Sequence, residues 1–448
     1  MTGFLSRERS VAPPGYNRWL VPPAALAIHL SIGQAYAYSV FNLPLTHEGG
    51  WSLAQVGWIF SLEIVVLGLS AALFGRWLER VGPRLAGVVA ACCWGGGYLV
   101  AALGVRLHNL AVIYLGNGII GGCGLGIGYI SPVSTLIRWF PDRRGMATGL
   151  AIMGFGGGAL IGAPLADSLM KHFAAGGWTG VWQTFVTMGA IYFAFMLAGA
   201  CLYRVPPEGW RPEGWSPAAR PRPLVTDRVV HVDRAWRTPQ FWLLWTVLCL
   251  NVSAGIGVLG QASPMIQEVF RGRVSASAAA GFVGLLSLFN IAGRIAWSSL
   301  SDHLGRKPTY VVFFALGILL YAAVPLTGRA GSVALFVGCF AVILSMYGGG
   351  FATIPAYLAD VFGATYVGAI HGRLLTAWST AGIVGPMLVN YIREFQIGRG
   401  VAAADAYNVT MYVMTLLLAV GLACNLAVKP VAEDAYVGAD IALGTARG

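Results

Sequence analysis

The chain has 448 residues, 57% of them apolar and only 10% charged. Soluble domains carry about 25% charged residues, so an ordinary soluble enzyme is excluded. Its 61 glycines follow no three-residue period and apolar residues dominate, which excludes collagen-like and disordered chains. A formal charge of +11 fits either nucleic-acid binding or basic loops on one side of a membrane, and position decides between them.

Residues 1–18 are polar and basic. The apolar run that follows, 19–43, is too long for a signal h-region, so no cleavable signal peptide is expected and the first helix serves as an uncleaved anchor. Further runs with the ~20 apolar residues of a helical crossing fall at 54–77, 85–105, 109–136, 145–170 and 181–203. The stretch 204–238 interrupts them with Arg204, Arg211, Arg220, Arg222, Arg228, Arg234 and Arg237 among Pro206, Pro207, Pro212, Pro217, Pro221 and Pro223. Such density of charge and proline makes a surface linker, either solvated or lying along anionic headgroups. Apolar runs resume at 239–264, 275–300, 308–328, 332–357, 368–391 and 404–428. The expected fold is an all-α membrane protein of 12 transmembrane helices in two six-helix pseudo-symmetric bundles. Its parts are an N-terminal tail (1–18), a bundle (19–203), the linker (204–238), a second bundle (239–428) and a C-terminal tail (429–448).

Sorted by this topology, 21 of the 29 Lys and Arg lie in the tails, the linker and the loops on their side. Seven lie on the other side, and one, Arg294, falls inside the eighth span. The positive-inside rule then predicts both termini in the cytoplasm and weakens the nucleic-acid reading. A repeat supports the division. Residues 79–84 and 302–307 each carry an acid, a glycine three residues on and a base five residues on; 144–149 is echoed by 367–372, both at an offset of 223. Equal offsets at equivalent loops indicate duplicated parallel halves.

All seven cysteines lie in apolar segments without a C-x-x-C, which favours packed thiols over disulfides or a metal site. The glycine runs at 118–128 and 154–158 lack the strand and the Gly-Lys-Ser/Thr ending of a phosphate loop, so helix packing accounts for them. No metal-ligand spacing or Ser-His-Asp set appears, and no cofactor is expected. Arg294 is the residue to weigh. A guanidinium inside a span costs at least ~2.5–3.5 kcal/mol, so it faces either a wet cavity or a structural partner. Its planar fork suits a carboxylate. Asn290 and Gln261 are polar enough to assist. Glu63 in the second span and His29 in the first are the candidate proton carriers, each with a packing role as the alternative.

The loop 79–84 and its repeat resemble the signature of the major facilitator superfamily, with Glu79 where Asp is commoner. Residues 138–149 are similar to the loop entering helix 5 of monocarboxylate carriers and oxalate:formate antiporters. Residues 237–245 resemble the start of helix 7 in the oxalate:formate antiporter family, and 48–51 resemble a monocarboxylate-carrier motif whose end departs. In organisation the resemblance covers roughly 19–428. It implies a cytoplasmic latch of Glu79, Arg80, Arg84, Asp302, Arg306 and Lys307, and a substrate-binding role for Arg294. It also implies cavity aromatics at Tyr36, Tyr129 and Tyr347, with Phe41 and Phe351 at two further places. Oxalate carriers of the family pair the arginine with a lysine that falls here on Trp378. One cation suits one carboxylate, with the substrate's other end against an indole.

The resemblance implies a secondary active transporter, not an enzyme, for small monocarboxylates of the formate, lactate or pyruvate class. It would work by alternating access, as carboxylate exchange or proton symport, as a monomer in a bacterial inner membrane. Its partners would be a small organic anion, protons and the lipid bilayer. The alternatives are a drug or other-solute:proton antiporter using Glu63, and a non-transporting membrane sensor.

Overall fold

Inside a bilayer every backbone polar group must find a partner within the protein, which makes a long apolar chain a set of helices. The computed structural model describes residues 3–174, 179–215 and 224–437; Pro217, Arg220, Pro221, Arg222, Pro223 and Arg447 lie outside them. Twelve legs follow in chain order. The first, α1, crosses in three pieces: helix Val21–Ile32, a 3-10 stretch Gly33–Phe41 and helix Asn42–Gly49. Then come α2 (Leu53–Val81) and α3 (Pro83–Arg106). The fourth leg, α4, runs through Leu110–Ile113, a π-helical Tyr114–Gly121 and Gly122–Trp139. The first half ends with α5 (Arg144–Phe173) and α6 (Val181–Leu202). The second half holds α7 (Pro239–Val269), α8 (Ala276–Leu304), α9 (Arg306–Arg329) and α10 (Val333–Phe362). Its last legs are α11, broken at Leu375 into Val367–Leu374 and Thr376–Gly398, and α12 (Asn408–Ala427). Among the described residues ten helices are long and apolar enough to cross a membrane, and the legs α1 and α11 are not among them.

Local signals set the boundaries. Ser52 and Gln55 form a reciprocal capping box at the start of α2, and Thr238 caps α7 just ahead of Pro239. The sharp joints α2/α3 and α8/α9 turn on Gly82 (φ 87°) and Gly305 (φ 92°), a left-handed region that glycine enters without strain. These glycines occupy duplicated positions, as do Pro132 in α4 and Pro355 in α10.

The halves meet along two seams related by the same duplication. On the first, α2 packs on α11: a Cβ added at Gly75 would lie 2.7 Å from Ala369 Cα, and one at Gly372 would lie 2.9 Å from the Ala71 carbonyl carbon. On the second, α5 packs on α8: a Cβ at Gly149 would lie 2.6 Å from the Arg294 carbonyl oxygen. Small residues let backbones approach this closely and supply packing where lipid offers no hydrophobic drive.

Both seams are pinned at the end that carries the tails and the linker, here the linker end. Glu79 accepts the Gly368 N–H (3.2 Å) and pairs with Arg138. Asp302 accepts the N–H groups of Gly145 (2.8 Å) and Met146 (2.9 Å), so each acid sits at the N-terminus of a helix from the opposite half. Asp360 joins Arg144 (2.9 Å) to Arg306 (3.2 Å). At the other end the ion pair Glu268–Arg393 stays within one half. There, Gly57 on α2 and Gly281 and Gly284 on α8 have no atom within 4 Å of an added Cβ.

The six expected latch residues divide. Glu79, Asp302 and Arg306 join the seams, whereas Arg84 and Lys307, a duplicated pair, do not reach an acid. Arg84 donates to the carbonyl of Tyr203 (3.0 Å), just beyond α6, and Lys307 donates to Leu426 (2.7 Å) and Val428 (2.8 Å) at the end of α12. Each basic group thereby meets the unsatisfied carbonyls of a helix C-terminus. Arg80 is exposed. The linker is more than a tether. Its described part pairs with the C-terminal tail (Val437 N–H to Val229 carbonyl, 2.9 Å) and with α10 (Val230 N–H to Phe362 carbonyl, 3.0 Å). In its short helix Val232–Ala235, Asp233 bridges Arg76 of α2 (2.9 Å) and Arg373 of α11 (2.6 Å).

Candidate functional site

Midway along the second seam, Arg294 projects from α8 and is 1% exposed. Its Nε donates to Asn290 Oδ1 one turn earlier (3.1 Å), and its Nη1 donates across the seam to the carbonyl of Ile152 on α5 (3.0 Å). Nη2 is buried without a hydrogen-bond partner. Among the described residues no carboxylate stands within ion-pair distance of this guanidinium. Gly156 makes room for it, since a Cβ there would lie 3.2 Å from Nε. An unneutralised buried cation costs several kcal/mol, and an arriving anion offsets that cost.

Around the arginine stands a box of rings from both halves. Trp378 of α11 is fully buried, with ring centroids 4.6 Å from Phe351 of α10, 5.4 Å from Tyr129 of α4, 5.4 Å from Phe155 of α5 and 6.2 Å from Tyr36 of α1. Tyr347 stacks edge-on against Phe351 (5.4 Å), and Arg294 lies 5.7 Å from the same ring. The Tyr36 hydroxyl is aimed at Tyr347 and at the guanidinium without meeting hydrogen-bond geometry with either. Those of Tyr129 and Tyr347 and the Trp378 Nε1 are also buried and unpartnered. The site therefore offers one cation, three hydroxyls and an indole N–H within a wall of rings: donors for one carboxylate, and apolar surface for little else.

Of the residues singled out in the sequence, Arg294, Asn290, Tyr36, Tyr129, Tyr347 and Trp378 come together here. Gln261 on α7 is half-buried, and its side chain makes no hydrogen bond among the described residues. Phe41 does not join the box; it packs on Tyr38 (5.6 Å) and Phe185 (4.8 Å) inside the first half, since five residues after Tyr36 it falls on another face of the helix. Glu63 is also inside the first half, buried near Tyr38 and Tyr98 with Oε2 unpartnered. His29 sits beside Tyr129 (5.3 Å), its ring nitrogens against the carbonyls of Ala151 and Tyr129. Two residues were missed. Phe155 was hidden in a glycine run read only as packing, and its signal was a lone aromatic there. His371 stood in the repeat, at the place where the first copy has Thr148.

The sequence profile of the Major Facilitator Superfamily matches residues 24–386. The chain belongs to that superfamily and is a multi-pass membrane transporter, not an enzyme. The oxalate:formate antiporter of Oxalobacter formigenes is 29% identical over 374 residues, covering 82% of this chain and 83% of that one. Monocarboxylate transporter 4 of Rattus norvegicus is 26% identical over 394 residues, covering 84% and 77%. The crystal structure of the E. coli fucose:proton symporter superposes with a TM-score of 0.65 at 14% identity, covering 91% of this chain and 99% of that chain, which shows the shared fold.

Proposed function

We propose that this transporter carries small monocarboxylates of the formate, lactate or pyruvate class by alternating access, with both termini in the cytoplasm of a bacterial cell. The observation that carries the reading is the Arg294 guanidinium, buried between the halves with no carboxylate within ion-pair distance among the described residues and set among hydroxyls and rings. A carboxylate accepts from Nη2 and from the Tyr36 and Tyr347 hydroxyls, while its short apolar end lies against Trp378 and Phe351. A dianion such as oxalate would place its second charge against the indole, so oxalate is a poor fit despite the printed name of one relative. A cationic drug would need a carboxylate in the box; Glu63 lies elsewhere.

The test is uptake into proteoliposomes preloaded with formate, lactate, pyruvate or oxalate, at two pH values. Exchange requires the internal anion, whereas proton symport proceeds without it and rises with an inward proton gradient. Monocarboxylate flux that disappears in Arg294→Ala and turns toward oxalate in Trp378→Lys is expected. Absence of carboxylate flux, or full activity in Arg294→Ala, overturns the reading.

A further inference from the structure

The first seam holds a buried group with no part in the box. His371 lies on the first segment of α11, 1% exposed, and neither ring nitrogen has a hydrogen-bond partner. It is seven residues, about two helical turns, before Trp378, on the linker side of the box. Its ring stands 5.9 Å from Tyr129 of α4, and the adjacent Gly372 is pressed on the Ala71 carbonyl of α2. The imidazole is therefore enclosed by the contacts that bring the halves together at the linker end.

The surrounding groups do not explain it. On α2, Glu79 is taken by Arg138 of α4 and by the Gly368 N–H, and Arg76 by Asp233 of the linker helix. On α10, Asp360 is held by Arg144 and Arg306. Arg373 of α11 itself is paired with Asp233. The leg α7 brings no charged side chain to this end: its one acid, Glu268, is bonded to Arg393 at the other. What remains is the unpartnered Tyr129 hydroxyl and, across that ring, His29 of α1, close enough to act electrostatically on His371. Among the described residues no anion stands ready for an imidazolium.

A buried donor or acceptor left unpaired costs about 1–3 kcal/mol, and an unpaired buried charge costs more. A position that accepts the first cost and has no means of meeting the second fits a group that is wet in one conformation and dry in the other. We propose that His371 is a proton-sensitive gate residue: the linker end closes only when its imidazole is neutral, so acid on that side holds the end open. On opening, water reaches the ring and a ring nitrogen takes a proton from it; before closing, the proton returns to water on the same side. The proposal rests on the two halves rocking apart at the linker end, and on nothing about which solute is carried.

The experiment needs no substrate. Full-length protein, with its seven cysteines replaced by alanine, carries Arg80→Cys and Leu304→Cys on the exposed α2/α3 and α8/α9 turns. Both are spin-labelled in nanodiscs, and the inter-label distance is measured at about pH 8 and about pH 5.5, either side of the histidine range. One histidine that must be neutral for closure shifts the closed-to-open ratio roughly tenfold between those values. We expect that shift in the parent and its loss in both His371→Asn and His371→Leu, with His231→Gln retaining it. No pH-dependent shift in the parent, a full shift in both His371 variants, or a loss on His29→Gln with both His371 variants unchanged, overturns the proposal. Because solute is absent throughout, failure of the carboxylate reading leaves this outcome untouched, and the reverse holds for the uptake assay.

Discussion

The α2/α11 and α5/α8 seams are related by the duplication and differ at two places beside their glycine contacts. Both have an acid capping a helix of the other half, Glu79 on one and Asp302 on the other, and both have a glycine at 372 or 149 against a carbonyl. That carbonyl belongs to Ala71 on the first seam and to Arg294 on the second. Beside the glycine stands His371 on the first seam and Thr148 on the second. Close packing holds the halves together on both seams, while the ionisable group beside the glycine contact differs: His371 on the first and Arg294 on the second. With alanine and threonine at both places, neither glycine contact would carry an ionisable group, and the seams would hold charge only at the linker end.

The comparison can be broken most severely at Arg294. Alanine there should cut carboxylate uptake about 100-fold or more, given the ~3–5 kcal/mol attached to removing one partner of a buried charge pair. Lysine, which keeps the charge and loses the fork, should recover only part of the flux. Overpacking comes next: Gly149→Val and Gly372→Val should each cost ~1–3 kcal/mol of closure, read as longer spin-label distances across the linker end. If one glycine tolerates valine freely, the seams are not equivalent in packing.

The caps should separate by a smaller margin. Asp302 accepts two N–H groups and Arg306 (2.6 Å), Glu79 one N–H group and Arg138, so Asp302→Asn should open the linker end more than Glu79→Gln, by ~1 kcal/mol. Equal effects would argue that the extra donor contributes nothing. Smallest is the linker strap. Chiefly the hydrogen bond from Arg373, helped by Arg76, holds the Asp233 carboxyl below its ordinary 3.8. A lowered folded-state value means the contribution is complete above the ordinary range and is lost only as pH falls through the lowered one. Asp233→Asn should therefore change closure less than about twofold, as expected of a partly exposed pair, and leave the response between about pH 5.5 and pH 8 intact. Burial is the main cause that lowers His231 from its ordinary value, and the His231→Gln variant separates its signal from that of His371.

Much of this was legible beforehand because lipid simplifies the code. Apolar length marked twelve legs, and a lone arginine in a span had to mean something. The 223-residue offset by itself ties Glu79 to Asp302. What escaped depends on helix phase and tertiary contact. Phe41, five residues after Tyr36, falls on another face of α1 and packs inside the first half. The resemblance of the duplicated loop implied that Arg84 and Lys307 were latch members; carbonyls at helix ends near in space, not in sequence, hold them instead. Phe155 was masked by the glycines that let it approach Trp378.

The break at Leu375 has a consequence for how the chain is made. The longer piece of α11, Thr376–Gly398, carries Trp378, Ser379, Thr380, Asn390, Arg393, Glu394 and Gln396, and is absent from the ten helices apolar enough to cross alone. A nascent segment of that composition is a weak signal to the insertion machinery. It should enter the bilayer stably only once α12 has emerged behind it and α7 is present to shield its polar face. Truncation before α12 should leave α11 outside the membrane, whereas the first half, with α6 already in place, should insert unaided.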